Sequence, residues 1–436
     1  MTATAPAERQ RASRRLRAAI QDGGVIAAAI VFMNVATYGF QMVAARVLGP
    51  EQYGGVSALM ALFLVVAVVQ LGLQATAARR IAAAPGEVEE IEADVRRVSR
   101  RAGWLVGALL LLLSPVVWQV LRLDSILPAL LLAAGAVPLT VMGGQAGILQ
   151  GERRWLALSL VYLALGVPRL AVGTAAILLR PTEGAAMAGV AVAMLAPVVV
   201  GWLALRRERP AREESVDADP VVSAAQAEVT AARTTTAREA VQGSLALLAF
   251  FVLSNADIVI ARNVLPAQDA GLYAGGLILT KAVLFLPQFV VVVAFPAMST
   301  ISERRRALVR SLLAGAGLGV VSVAGAVVLS GLATFFIGGA EYAPVSSRLW
   351  VFAVVGTLLA LLQLLVYSVL ARQGRGSTYL TWVAVGLLVG VGLLQDTLEG
   401  LLVTVVGVDA ALLAVLLALA LRTMSADTRD LAAREA

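Results

Sequence analysis

Four charged side chains fall inside long apolar stretches of this chain: Lys281, Arg169, Asp257 and Asp409. If those stretches span a bilayer, a charge at the centre costs about 2.5–3.5 kcal/mol on insertion scales, so it faces a protein interior or a watery cavity. Lys281, in GGLILTKAVLFLPQF, is too deep to reach the interface by extending its stem. It is also the single Lys in a chain with 34 Arg. Its compact ammonium suits an anionic group, phosphate above all. The structural reading is an ion pair with Asp257, and the two readings are compatible if the pair opens for a substrate. Asp257 follows Ser254 and Asn255 in FFVLSNADIVIARN. Arg169 follows Pro168, which leaves a carbonyl unserved one turn back, so a kinked, hydrated site is expected. Asp409 lies in the last apolar segment, which is expected to be peripheral, and it is given no role.

Neutral polar residues form a second pattern. Asn34, Thr37, Tyr38 and Gln41 sit at i, i+3, i+4 and i+7, one face of a helix. Such a stripe faces a cleft or hydrogen-bonds a neighbouring helix, at about 0.6 kcal/mol per contact. Gln70 and Gln74 make a similar i, i+4 pair. The chain has no His and no Cys. Disulfides, zinc sites, imidazole ligation of haem and thiol or His catalysis are therefore excluded, and no catalytic residue, metal site or bound cofactor is assigned.

The elements that position these residues follow from composition. Hydrophobic residues make up 59% of the 436 positions and charged residues 14%, against about 25% charged in a soluble domain. With a mean hydropathy of +0.85, the chain is a polytopic membrane protein. Twelve apolar runs are predicted as helices: 24–45, 54–78, 102–121, 126–149, 155–179, 185–205, 241–261, 270–297, 308–331, 346–370, 378–395 and 400–421. They are continuous and not alternating, which excludes a β-barrel. Alternating sides from the N-terminus puts 28 arginines on one side and five on the other, namely Arg46, Arg122, Arg180, Arg262 and Arg348. That asymmetry places both termini in the cytoplasm, in the cell membrane. It also accounts for the net charge of +7 without a nucleic-acid partner. The N-terminus, MTATAPAERQRASRRLR, is polar and basic, and no cleavable signal peptide is expected.

The predicted organisation is a basic tail (1–23), a six-helix bundle (24–205), a flexible linker (206–240), a second six-helix bundle (241–421) and a tail (422–436). Residues 79–101, with acids before bases, are expected to form a short interfacial or cytoplasmic helix. The two bundles repeat. ARVLGPEQYGGVSA (45–58) aligns without gaps to ARNVLPAQDAGLYA (261–274), with Arg46 on Arg262, Pro50 on Pro266 and Gly55 on Gly271. The same offset maps Asp257 onto Gln41. LQGERRW (149–155) is echoed more weakly by LARQGRG (370–376). Six helices is an even number, so the repeats are parallel, and two such bundles imply a central cleft and alternating access. Arg46 and Arg262, at matching outer ends, line the outward mouth or anchor at headgroups.

The stretches ARVLGPEQYGGVSALMALFLVVAVVQLGLQATAARRIA and NADIVIARNVLPAQDAGLYAGGLILTKAVLFLPQFVVVVAFPAMS, with GILQGERRW between them, resemble the Wzx-type oligosaccharide flippases of polysaccharide biosynthesis. These belong to the multidrug/oligosaccharidyl-lipid/polysaccharide exporter superfamily. The resemblance implies two six-helix lobes in a V and export of polyprenyl-diphosphate-linked sugars. Lys281, Arg169, Arg46 and Arg262 would supply the cavity's positive charge, with Asn34, Tyr38 and Gln41 lining it. The resemblance further implies energy from a proton or sodium gradient, with Asp257 as the carboxylate for coupling. Membrane lipid and a polysaccharide polymerase or glycosyltransferases are the implied partners. Two alternatives remain. A cation-coupled drug or metabolite antiporter on the same fold would want a cavity dominated by carboxylates. A membrane-embedded enzyme would need a substantial hydrophilic loop bearing acids, and the outer loops are short.

Overall fold

A computed structural model describes residues 5–84, 86–206, 233–285, 304–370 and 375–435 of the chain. Every regular element among them is helical. The helices are α1 (Ala5–Ala83), α2 (Val88–Val120), α3 (Leu127–Gly151), α4 (Trp155–Leu179), α5 (Glu183–Ala193), α6 (Leu195–Arg206), α7 (Arg233–Val264), α8 (Ala267–Phe285), α9 (Arg304–Val328), α10 (Ser330–Ile337), α11 (Leu349–Leu370), α12 (Arg375–Gly392) and α13 (Leu398–Glu435), with a 3-10 segment at Ala340–Arg348.

Nine described stretches are long and apolar enough to cross a membrane, and Thr378–Gly392 in α12 is a shorter apolar helix. One of the nine, Gly24–Ala83, runs for 60 residues. At 1.5 Å per residue that is about 90 Å, some three bilayer cores, so it is two spans. The break is Gly49, at φ 70° and ψ 172°, a conformation open to glycine because no Cβ meets the backbone. Pro50 then begins the second span, where a missing N–H costs nothing. With α1 counted twice and α8 and α12 included, the described helices make the twelve passes expected from sequence. Pro266 repeats the device: α7 ends at Val264 and α8 starts at Ala267.

Three boundaries differ from expectation. The helix predicted within 79–101 is not separate, because no Pro or Gly interrupts Val88–Ala102 and the turns run on into the span as α2. α7 starts at Arg233, inside the expected linker; residues 207–232 lie outside the described residues, as do 286–297 of the predicted eighth segment. The sixth span is broken after Ala193 into α5 and α6. Thr182 caps α5, its hydroxyl oxygen accepting from Ala185 N at 3.2 Å.

The chain divides into two compact units. The first holds Met1–Ala44, Val69–Pro115 and Ser125–Arg207; the second holds Ala45–Val68, Val116–Asp124 and Glu208–Ala436. In the first, α4 packs on α5 and α6, and α3 on both of these. Gly143, Gly147 and Gly151 line up along α3 at a spacing of four, and a Cβ on any of them would collide with α1 at Gln70, Gln74 or Ile81. That stripe brings two helix backbones close, the means by which helices gain packing in lipid. In the second unit α11 is central, against α8, α9 and α13.

Candidate functional site

The second unit gathers the charged residues. α7 carries Ser254, Asn255 and Asp257, α8 carries Tyr273 and Lys281, and α13 carries Asp409. All six are buried. The Lys281 ammonium donates to the main-chain carbonyl of Ser254. In a regular helix that carbonyl would be served by Ile258 N–H, but Asp257 Oδ1 holds Ile258 N at 2.9 Å. Asp257 Oδ2 accepts from the Tyr273 hydroxyl at 3.0 Å. Asn255 Nδ2 donates to Phe251 O at 2.8 Å, completing a polar turn of α7.

Lys281 interacts electrostatically with both Asp257 and Asp409. It makes no contact ion pair with a carboxylate among the described residues, so the direct Lys281–Asp257 pair is replaced by a looser arrangement. Asp409 overturns the expectation of a peripheral position. It is 1% exposed and interacts with Asp257, Lys281 and Tyr273. Its Oδ1 has no hydrogen-bond partner among the described residues. The sequence signal was there, a carboxylate in VVGVDAALL that lipid does not tolerate. The position of α13 against α11 is what the sequence did not supply. Ionised, the three groups carry one negative charge in excess, which a proton or one monovalent cation would balance.

α8 is fixed by close packing. Thr280 Oγ1 donates to Phe352 O on α11 at 2.9 Å, and the Tyr273 and Phe352 rings meet edge to face at 5.3 Å. Gly276 lies against the Phe352 ring, and Gly356 lies against the Thr280 carbonyl. Lys281 thus projects from a helix with little freedom to shift.

The first unit holds a different constellation. Arg169 on α4 is half-buried. Its Nη2 reaches Met194 Sδ at 3.6 Å, and its Nε has no partner. No carboxylate lies within ion-pair distance of it among the described residues. Gly166 and Gly173 flank it by a turn on each side and let α4 lie on α1 at Met33 and Phe40. Arg169 and the half-buried stripe of Asn34, Tyr38 and Gln41 therefore belong to one helix pair. On the same unit Gln70 Nε2 donates to Gln74 Oε1 at 2.9 Å. Gln74 Nε2 in turn lies 2.8 Å from both Gln150 Oε1 and the Tyr162 hydroxyl.

Of the repeat-related arginines, Arg262 takes neither role expected of it. Arg262 is 5% exposed and donates to three main-chain carbonyls: Leu121 at 2.9 Å, Arg122 at 2.7 Å and Glu51 at 3.1 Å. The first two are orphan carbonyls at the C-terminal end of α2, where Arg122 takes φ 48°, and a cation is favoured there. Arg46 is exposed; its guanidinium lies 4.7 Å from the centre of the Phe335 ring and reaches Phe335 O at 3.4 Å. Arg262 is thus a fastening inside the second unit, and Arg46 is the more available of the two.

Comparison with known proteins gives a consistent picture. A sequence profile described as "Polysaccharide biosynthesis protein" matches residues 19–302. No curated protein matches the chain by sequence. Among solved structures, an inward-facing multidrug resistance MATE family transporter of the MOP superfamily is 13% identical, with a TM-score of 0.64 over 93% of this chain and 99% of that one. A MATE protein in a bent conformation is 14% identical, with a TM-score of 0.58 over 93% and 96%. An outward-facing transporter of the same kind scores 0.52 at 16% identity, over 91% and 96%. At such identities these likenesses speak for the fold.

Proposed function

The chain belongs to the polysaccharide biosynthesis protein family, and on that premise we propose that it flips a polyprenyl-diphosphate-linked oligosaccharide across the cytoplasmic membrane. Family and fold are those of multi-pass membrane exporters. The observation that carries the finer reading is Arg169, a guanidinium inside a span that no carboxylate contacts among the described residues. A cation held this way is suited to a diphosphate, which guanidinium binds through paired N–H donors. Asn34, Tyr38 and Gln41 on the partner helix offer hydrogen bonds to sugar hydroxyls. Lys281, in the second unit, is proposed as a separate contact for anionic cargo. Movement is by alternating access, with both termini in the cytoplasm as the arginine asymmetry directs.

The Asp257–Lys281–Asp409 cluster is the proposed site of coupling to a proton or sodium gradient. Its one excess negative charge is neutralised when a cation enters, and the neutral cluster costs less to move through a low-dielectric interior. The same two carboxylates favour a second reading, a cation-coupled antiporter for drugs or metabolites, because they give this unit more acid than base. Mass spectrometry of lipids from cells lacking the protein separates the two. Accumulation of one defined polyprenyl-diphosphate glycan, relieved by the wild-type chain and not by Arg169→Ala, is expected. An unchanged lipid-linked pool in cells newly sensitive to cationic drugs would favour the antiporter.

A further inference from the structure

A cavity of about 460 Å³ opens between α2, α3 and α6 in the first unit, well away from Arg169 in sequence and on other helices. Its lining is graded. Arg96 and Arg100 stand at the arginine-rich end, Ser99 and Gln145 beside them, and the valines Val141, Val198 and Val199 a turn or more deeper along their helices. Arg96 shares its charge with Glu92 one turn before it. Arg100 spends only its Nε, on Arg96 O at 3.4 Å, and is exposed. Trp202 lines the same cavity, is 44% exposed, and carries the Arg206 guanidinium 3.6 Å from its ring centre. An aromatic ring under a cation at the end of a span is characteristic of the membrane interface.

Two buried polar atoms in this lining have nothing to bond. Ser99 Oγ and Gln145 Oε1 lack hydrogen-bond partners among the described residues, with Ser99 1% and Gln145 8% exposed. The amide orientation of Gln145 is fixed by its Nε2, which donates to Val198 O at 3.2 Å. Both atoms are closed in by helix packing, Ser99 Oγ against Gly144 and Gln145 Oε1 against Gly201, so the charged groups that a ligand in the cavity reaches are those of Arg96 and Arg100. A guanidinium whose Nη atoms have no partner among the described residues, beside a deeper apolar wall, describes one kind of molecule.

We propose that this cavity is a binding site for an anionic glycerophospholipid, drawn from the leaflet on the arginine-rich side. Arg100, with Arg96, takes the phosphate. An acyl chain lies along Val141, Val198 and Val199. The site is independent of the exported cargo, because none of its residues belongs to the Arg169 or Lys281 constellations.

The test uses the full-length protein in detergent, with phosphatidylglycerol as probe and phosphatidylcholine and free glycerol phosphate as comparators. Native mass spectrometry is expected to retain one phosphatidylglycerol per chain, and thermal stability to rise with that lipid alone. Arg100→Gln, at an exposed position that leaves packing intact, should weaken retention about tenfold or more, while the neighbouring Arg97→Gln should not. Equal retention of phosphatidylcholine would overturn the headgroup assignment, and saturation by glycerol phosphate would make this a soluble-anion site. Unchanged retention in Arg100→Gln would remove the lipid from this cavity.

Discussion

The two halves of this chain are built on one pattern and use it with opposite electrostatics. An offset of 216 places Arg46 on Arg262 and Pro50 on Pro266, and the structure repeats the helix–turn–helix around each Pro. Yet Asp257 corresponds to Gln41, Asp409 to Ala193 and Lys281 to Val65. The first unit is wired by neutral amides, Gln70, Gln74 and Gln150 with Tyr162. The second is wired by ions, Asp257, Lys281 and Asp409 with Tyr273. Neutral hydrogen bonds in lipid are cheap to keep whatever the membrane's ion gradients, while an ionic cluster changes energy whenever a cation joins it. A duplicated fold thus carries neutral wiring in one half and an ionic cluster, the proposed coupling site, in the other.

The largest effect should come from removing Lys281. Breaking a buried charge set by deleting one member costs about 3–5 kcal/mol, so Lys281→Ala should abolish export, and Lys281→Arg should keep part of it. The double variant Lys281→Met with Asp409→Asn restores the charge balance. If it exports as well as Asp409→Asn alone, Lys281 serves only to balance the acids; if it folds and binds cargo more weakly than Asp409→Asn alone, Lys281 meets the cargo. Next in size is Asp409→Asn. Expression and cargo binding should persist, while the response of transport to an imposed proton or sodium gradient flattens. A gradient response equal to wild type would move coupling away from this cluster.

How far the sequence could reach is visible in these same residues. Twelve spans, the duplication and a break between residues 45 and 54 were legible, because bilayer thickness limits the length of a span; that the break falls at Gly49 came from the structure. Lys281 and Asp257 were legible as intramembrane charges. Their relation was not, since a contact ion pair and a bridge through the Ser254 carbonyl have the same sequence spacing. Asp409 was misread because its neighbours come from α7 and α8, and only the packing of the last helix brings them to it. Arg262 was misread for the same reason: the carbonyls it serves are 140 residues or more away.

The matched arginines give a smaller contrast. Arg262→Ala strips two α2-end carbonyls and the Glu51 carbonyl of a donor, and each buried orphan costs about 1–3 kcal/mol. A thermal midpoint lower by several degrees is expected. Arg46→Ala removes one exposed cation–π contact worth about 0.5–1 kcal/mol, and the midpoint should barely move. Equal shifts for the two would mean that the repeat, and not the local contacts, sets their importance.

The smallest effect is the one that sharpens the comparison most. Gln74→Leu leaves Gln70, Gln150 and Tyr162 without their shared partner. In water-free surroundings three lost contacts would be expected to matter greatly. The measured average in membrane helices is only about 0.6 kcal/mol each, because the separated helices find other partners. Stability should therefore fall by about 1–2 kcal/mol in total, with export kept within about twofold. Collapse of export at preserved stability would show that these amides touch the cargo. The cargo site proposed around Arg169 would then extend to the Gln70–Gln74 pair, and the amides would cease to be the neutral wiring of the first half.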